Sequence, residues 1–139
     1  MKLVIRGLFA LLLSVIALGG LPASAHHSFA MFDFDSTISC PAIVKEFRWT
    51  NPHVTLLIEA SVKPGDPPDT WSLELTSPGN LTRLGWTHSS FKSGDHVEVK
   101  FNPLRDGHHG GAFREAKNVA TGEVLKSSVR DANDAPNLK

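Results

Sequence analysis

The chain has 139 residues, enough for a single domain, and its 14 Lys and Arg residues balance its 14 Asp and Glu residues. No stretch gathers the basic side chains that a nucleic-acid-binding surface needs, so this class of partner is not expected. A single cysteine, Cys40, excludes an internal disulfide, and its position in a strand-like run predicts that it is buried.

The first 25 residues have the three parts of a secretory leader. Lys2 and Arg6 supply positive charge, residues 8–18 are apolar, and Ala23-Ser24-Ala25 matches the small-residue cleavage pattern. The apolar stretch is shorter than the ~20 residues of a membrane-spanning helix, which favours cleavage over a retained anchor. The sequence therefore predicts a soluble periplasmic protein, with no membrane span after leader removal, whose first residue is His26.

Runs of β-forming residues, separated by turn signals, follow the leader. Several of them alternate apolar and polar side chains, which is typical of strands with one buried face. Pro41 removes a backbone donor and so favours a strand start or an edge there. A polar loop is expected at 103–111, and a disordered tail at 131–139. The predicted strands lie at 39–49, 53–62, 70–76, 96–101, 112–119 and 123–129.

One short helix is predicted between the third and fourth strands. Ser77 is a suitable N-cap, Pro78 suits the first helical position, and Gly85 can end the helix in the left-handed conformation. This element order is typical of a small OB-like antiparallel barrel of five to six strands with one short helix. The fold class is thus mainly β, in one domain over residues 26–130, with a β-sandwich as the alternative.

The combination of short motifs in this chain resembles a known family. They are similar to those of the small exported bacterial proteins known as domain of unknown function 6152. The resemblance extends to about Leu125 and implies an exported single-domain protein, but no activity. Cys40 and the His108-His109 pair lie outside the family's pattern. The motifs are His26-His27-Ser28-Phe29, Trp49-Thr50-Asn51-Pro52-His53, Trp71-Ser72-Leu73-Glu74, Ser77-Pro78, Leu81-Thr82-Arg83-Leu84-Gly85-Trp86, Gly94-Asp95 and Pro103-Leu104-Arg105-Asp106-Gly107.

Cleavage before His26 suggests a copper site. The terminal amine and Nδ1 of a mature His26 can chelate one ion, and a further histidine would complete a T-shaped set of three nitrogens, which suits Cu(II). His53 is the preferred third ligand because it follows a rigid Asn-Pro turn. His27 competes, since the amine, the next amide nitrogen and its ring also form a chelate. His108 and His109 lie in a glycine-rich loop that could fold over the same end.

Three further residues are expected to form the walls of this site or to orient its ligands, namely Trp49, Asn51 and Arg105. Zinc could use the same nitrogens, although the ligand spacings of structural zinc sites are absent. Each histidine also has a simpler interpretation: a frayed chain end, a turn residue or a solvated loop.

The alternative is a metal-free, OB-like module of the cell envelope that binds a ligand or a protein. Trp49, Trp71 and Trp86 could line its binding face, although three tryptophans in a small barrel also suit a core. The chain has no nucleophile elbow, phosphate-binding loop or HExxH motif, so the sequence favours a binding protein over an enzyme. A copper oxidant is conceivable if the three-nitrogen site exists, but a copper carrier requires less.

Overall fold

A computed structural model describes residues 29–127, with only the backbone of Phe29. The predicted leader, His26, His27 and the predicted tail lie outside the described residues. No helix in this part of the chain is long and apolar enough to cross a membrane. The elements are a 3-10 turn (Phe29–Met31), β1 (Ile38–Arg48), β2 (Thr55–Ala60), β3 (Asp69–Glu74), α1 (Pro78–Arg83), β4 (His96–Pro103), β5 (Gly110–Asn118) and β6 (Val124–Lys126).

The strands form one sheet in the order β3-β2-β1-β4-β5-β6, and pairing of β3 with β5 closes five of them into a barrel. The mainly β, OB-like barrel with one short helix is therefore confirmed. The sheet is mixed, however, because β3 and β5 run parallel where Ser72 faces Gly110 and Glu74 faces Ala112. Directions cannot alternate all the way round a closed ring of five strands, so one neighbouring pair must be parallel.

The closing strand begins earlier than predicted. Gly110 and Gly111 were expected in the polar loop, but they are the first residues of β5. Glycine is a poor strand former, yet a Cβ at Gly111 would lie 2.4 Å from the carbonyl oxygen of Asn102 and 2.6 Å from Phe101 Cδ2. The glycine is needed because the backbones of β4 and β5 approach so closely there.

The strands alternate buried and exposed side chains, as predicted, and the buried ones form the core. Leu56 and Ile58 of β2 and Val97 and Val99 of β4 are buried, and so is Cys40. Burial, followed by the negative charge of Glu98, raises the pKa of the Cys40 thiol. The thiol therefore stays protonated at neutral pH and is a poor metal ligand.

Helix α1 begins and ends as its sequence predicts. Ser77 Oγ accepts a hydrogen bond from the Asn80 N–H, at 3.4 Å. At the other end Gly85 has a φ of +88°, and the Trp86 N–H donates to the carbonyl oxygen of Leu81 at 3.0 Å. This pattern is a Schellman motif, which satisfies carbonyl groups of the last turn. It also directs the Trp86 ring into the core, where the side chain is buried.

Candidate functional site

The β4–β5 loop, residues 104–109, carries two of the candidate histidines. It turns at Gly107, which has a φ of +80°. The Leu104 N–H donates to the carbonyl oxygen of Gly110 at 3.0 Å and closes the base of the loop. On the other side, the Ser72 N–H of β3 donates to the carbonyl oxygen of His109 at 3.1 Å. The barrel therefore holds the end of the loop that contains His109.

The ring of His109 is held on one face and at one nitrogen. It stacks on Trp71 with 4.7 Å between ring centres and an angle of 24° between planes. Its Nδ1 lies 3.1 Å from Asp69 Oδ2. The Asp69 carboxylate can only accept a hydrogen bond, so we assign the proton of a neutral His109 ring to Nδ1. The lone pair of Nε2 is then available to a ligand. Trp71 itself packs against Phe101 inside the barrel.

His108 is held less firmly. Its side chain is 81% exposed, and its Nδ1 lies 3.0 Å from Asp106 Oδ2 in the same loop. Hydrogen bonds from the backbone N–H and then the side chain of His108 hold the pKa of Asp106 below its usual value. Both partners belong to one short loop, so no strand of the barrel fixes this ring.

His53 lies at the opposite end of β3. Its Nδ1 is 2.6 Å from Glu74 Oε1, whereas His109 contacts Asp69. These carboxylates belong to the last and first residues of β3, about 16 Å apart along the strand at ~3.3 Å per residue, and their side chains leave opposite faces. The structure therefore brings His109 and His108 into one loop but does not bring His53 to them.

The three expected wall residues are also separated. Trp49 is half-buried and packs against Phe47, with 5.7 Å between ring centres. Asn51 is exposed and precedes a cis peptide bond to Pro52. Arg105 lies in the β4–β5 loop with His108 and His109. It is the one expected wall residue that the structure brings close to candidate histidines.

The start of the described chain is bound to this loop, which sequence reasoning missed. The Asp33 N–H donates to the carbonyl oxygen of Pro103 at 2.8 Å, and the Arg105 N–H donates to that of Met31 at 2.9 Å. Arg105 Nε also donates to the carbonyl oxygen of Phe32, whose side chain is buried. We call residues 30–36 the N-terminal segment. It enters the domain antiparallel to residues 103–105, beside the β4–β5 loop.

Asp33 gives a pH-dependent contact in this segment. The hydrogen bond from Ser36 Oγ, at 2.6 Å, is the main cause that holds the pKa of Asp33 below its usual value. Burial opposes the shift, while the Asp35 N–H and the charge of Arg105 add to it. Because the folded pKa is lowered, this contact stabilises the fold above the unfolded pKa and is lost as pH falls through the folded pKa.

Ser36→Ala is therefore expected to raise the pKa of Asp33 toward the usual aspartate value. NMR titration of the side-chain carboxyl carbons measures it directly. Ser39→Ala, in an exposed position of β1, is the matched control and should leave the Asp33 titration unchanged. An Asp33 pKa that stays low in Ser36→Ala would show that the serine hydroxyl is not its main cause.

The chain is similar to a known protein family and to a solved structure. Residues 14–114 match the family of unknown function DUF6152. The chain belongs to the DUF6152 family. Among solved structures, the mitochondrial single-stranded DNA-binding protein Rim1 from S. cerevisiae is similar over 66% of this chain and 95% of that chain, with 12% identity and a TM-score of 0.43. No curated protein matches the sequence.

The outer face of β2 and β3 in this DUF6152 domain has a polar character. Glu59 on this face forms an ion pair with Lys45 of the neighbouring strand β1, at 3.0 Å. Among the described tryptophans, Trp86 is buried, and Trp49 and Trp71 are partly buried against the core. A tryptophan can stack on a base or a sugar only if its ring is exposed. The burial of these rings therefore gives little support to a metal-free module that binds its ligand through tryptophans. The side chains that point outward are Thr55, Leu57, Glu59, Thr70, Ser72 and Glu74.

Within the described part of the DUF6152 chain, no three His, Cys, Asp or Glu side chains are grouped closely enough to hold a metal ion. His109 contributes one oriented nitrogen, with Asp69 behind it and Trp71 beneath it. This arrangement matches the way in which a carboxylate commonly orients a metal-binding imidazole through its other nitrogen.

Proposed function

We propose that this DUF6152 protein is exported to the periplasm, is cut after Ala25 and binds copper through the mature N-terminal residue His26. The amine and Nδ1 of His26 form a chelate, and an internal histidine adds a further nitrogen. The observation that supports this most directly is the pairing of Met31 and Asp33 with residues 103–105. It holds residues 31–33 beside the loop with His108 and His109.

The length of the intervening chain is compatible with such a site. Met31 is five positions after His26, and an extended chain of this length spans at most about 18 Å. Met31 accepts a hydrogen bond from the N–H of Arg105, three residues before His108. His53 contacts Glu74, at the end of β3 opposite to the contact of His109 with Asp69.

The chemistry favours binding or transport of copper over catalysis. Amine and imidazole nitrogens suit Cu(II), which has the highest affinity among the divalent first-row metals for such a site. Zinc could use the same nitrogens and is compared in the same titration. An exported domain that binds copper with three nitrogens can serve as a carrier without any further reactive group.

The experiment compares the mature protein, with its N-terminus confirmed by intact mass, with a form whose N-terminal amine is acetylated. Cu(II) affinity and stoichiometry are measured by competition with a chelator of known affinity. The mature protein should bind one ion. Acetylation removes the amine from the terminal chelate, so the affinity should fall by roughly 100-fold or more, since even loss of a residue that orients a ligand costs 10–100-fold.

Two comparisons make this result specific. His88→Ala, at an exposed position away from the loop, is the control and should bind as the wild type does. His27→Ala tests the competing chelate through the His27 ring. Binding that is unchanged by acetylation would contradict a terminal site and indicate the internal histidines. Binding no stronger than that of the unfolded chain would reject the metal function and leave a metal-free module of the cell envelope.

A further inference from the structure

We propose that the Asp106-Gly107 bond of the β4–β5 loop is a site of spontaneous isoaspartate formation, and that His108 slows this modification by holding the Asp106 carboxylate. The proposal is independent of copper binding. The reaction is the rearrangement of an aspartyl bond through a cyclic succinimide. It needs a reachable carboxyl group, an unhindered nitrogen in the next residue and room for a ring, and the β4–β5 loop meets each of these needs.

The reaction begins when the backbone nitrogen of Gly107 attacks Cγ of Asp106. The new C–N bond closes a five-membered ring, the nitrogen loses its proton, and one carboxyl oxygen leaves as water. Water then adds to the ring. Opening at the main-chain carbonyl leaves the chain connected through the Asp106 side chain and turns that carbonyl into a free carboxylate, whereas opening at the other carbonyl restores aspartate. The mass of the protein is unchanged, and no oxidant or reductant takes part.

Glycine at position 107 makes the attacking nitrogen accessible. Any other residue would place a Cβ next to this nitrogen, and glycine has none. A Cβ built at Gly107 would meet no atom beyond the adjacent residues within 4 Å, so the space around this position is open. The Gly107 N–H donates to the carbonyl oxygen of Leu104 at 3.4 Å, which is a long and therefore weak hydrogen bond. The chain has no other Asp-Gly pair and no Asn-Gly pair, so this reactive sequence occurs once.

The barrel holds the base of the loop and leaves its middle exposed. At the base, the Leu104 N–H donates to the carbonyl oxygen of Gly110 at 3.0 Å. Residues 105–109 are exposed, and the side chain of Asp106 is 61% exposed. Ring closure therefore requires movement within the loop and not of the strands that carry it.

His108 restrains the carboxyl group that has to react. Its backbone N–H donates to Asp106 Oδ1 at 3.0 Å, and its Nδ1 lies 3.0 Å from Asp106 Oδ2. Both oxygens are thus directed to His108, whereas the attack requires Cγ to turn toward the nitrogen of Gly107. The imidazole contact has to break before this rotation. His108 is therefore a positioning residue that slows the reaction.

Asp69 provides a comparison within the same molecule. Its side chain is 60% exposed, and its Oδ2 lies 3.1 Å from His109 Nδ1, so its exposure and its imidazole contact resemble those of Asp106. The next residue, however, is Thr70, whose branched side chain crowds the nitrogen and whose N–H already donates to Asp69 Oδ1 at 2.6 Å. Both residues are also paired with β2. Asp69 should therefore not rearrange.

The test incubates the folded protein at neutral pH and physiological temperature for several weeks. Digestion after lysine separates the peptide with Asp106 from the peptide with Asp69. The isoaspartyl form has the same mass but a different retention time, and an endoproteinase that cuts before aspartate does not cut before isoaspartate. Isoaspartate should accumulate at Asp106 and not at Asp69. Asp106→Glu should abolish it, because glutamate would have to form a larger ring.

Two substitutions test the role of His108. His108→Ala removes the imidazole contact and should raise the rate at Asp106 by roughly 2–10-fold, which is the effect of one ordinary hydrogen bond on a barrier. His108→Asn, whose amide can donate to the same oxygen, should restore much of the protection. The side chain is 81% exposed, so neither substitution should disturb the core. Thermal unfolding verifies that each variant is folded.

The wild-type chain unfolded in guanidinium chloride gives the rate without the contacts of the loop. Conversion confined to Asp106 and faster in His108→Ala supports both parts of the proposal. The site is overturned if Asp106 stays aspartyl in folded wild type and in folded His108→Ala while the unfolded chain is converted. Equal rates in wild type and His108→Ala overturn the role of His108. Conversion of Asp69 as fast as that of Asp106 would contradict the importance of Gly107.

Discussion

Gly111→Ala is expected to destabilise the barrel by about 1–3 kcal/mol, the usual cost of forcing extra atoms into a packed interior. The new Cβ would lie 2.4 Å from the carbonyl oxygen of Asn102, a backbone atom that no side-chain rotation can remove. It would also lie 2.6 Å from Phe101 Cδ2. The start of β5 would have to move away from β4, which disturbs the pairing of Gly111 with Leu73 that closes the barrel.

Urea unfolding measures this effect as a fall in the free energy of unfolding. Gly79→Ala is the matched control, because a Cβ at that position in α1 meets nothing within 4 Å. Alanine is the better helix former by up to about 1 kcal/mol, so this control should be neutral or stabilising. Equal stability of Gly111→Ala and the wild type would contradict the close approach of β4 and β5.

Trp86→Ala is expected to cost about 3–5 kcal/mol, the range measured for large aromatic residues removed from cores. The ring is buried and contacts Phe47, Phe91 and Phe113 with 5.6–6.2 Å between ring centres. Its Nε1 donates to the carbonyl oxygen of Lys126 at 3.2 Å, so the variant also loses a hydrogen bond to β6. Since domains of this kind are stable by only about 5–15 kcal/mol, the variant should be close to unfolding.

Chemical denaturation followed by circular dichroism gives the free energy of unfolding of this variant. Trp86→Phe keeps an aromatic ring but loses the indole N–H, and it should be intermediate. Trp49→Ala removes a half-buried tryptophan at the edge of the core and should cost less than Trp86→Ala. A loss below about 1 kcal/mol in Trp86→Ala would be typical of a surface position and would contradict its central role in the core.

The features that could be predicted from sequence depend on near neighbours in the chain. Side chains of successive strand residues point to opposite faces, so the pattern of β4 indicates its buried face before any partner is known. The capping of α1 likewise depends on Ser77, Pro78 and Gly85. Each of these residues affects backbone groups only a few positions away in the chain. The order of these elements was enough to indicate a small barrel with one helix.

The closure of the barrel depends on contacts that this local pattern does not contain. Gly110 and Gly111 have the composition of a loop, and only the close approach of Asn102 and Phe101 explains why glycine is required at position 111. The anchoring of the N-terminal segment by Arg105 likewise joins distant residues, since Arg105 and Phe32 are 73 positions apart in the chain.

The sequence by itself determined the alternation of buried and exposed side chains, the helix ends and the set of candidate histidines, because these follow from residue type and local spacing. Only the tertiary structure decided which histidines lie together and what orients each ring. His109 contacts Asp69 and Trp71 because β3 and β5 are neighbours in the closed barrel, whereas His53 is at the other end of β3. Pairing between strands that are distant in the chain is set by packing of the whole domain, which no local motif encodes.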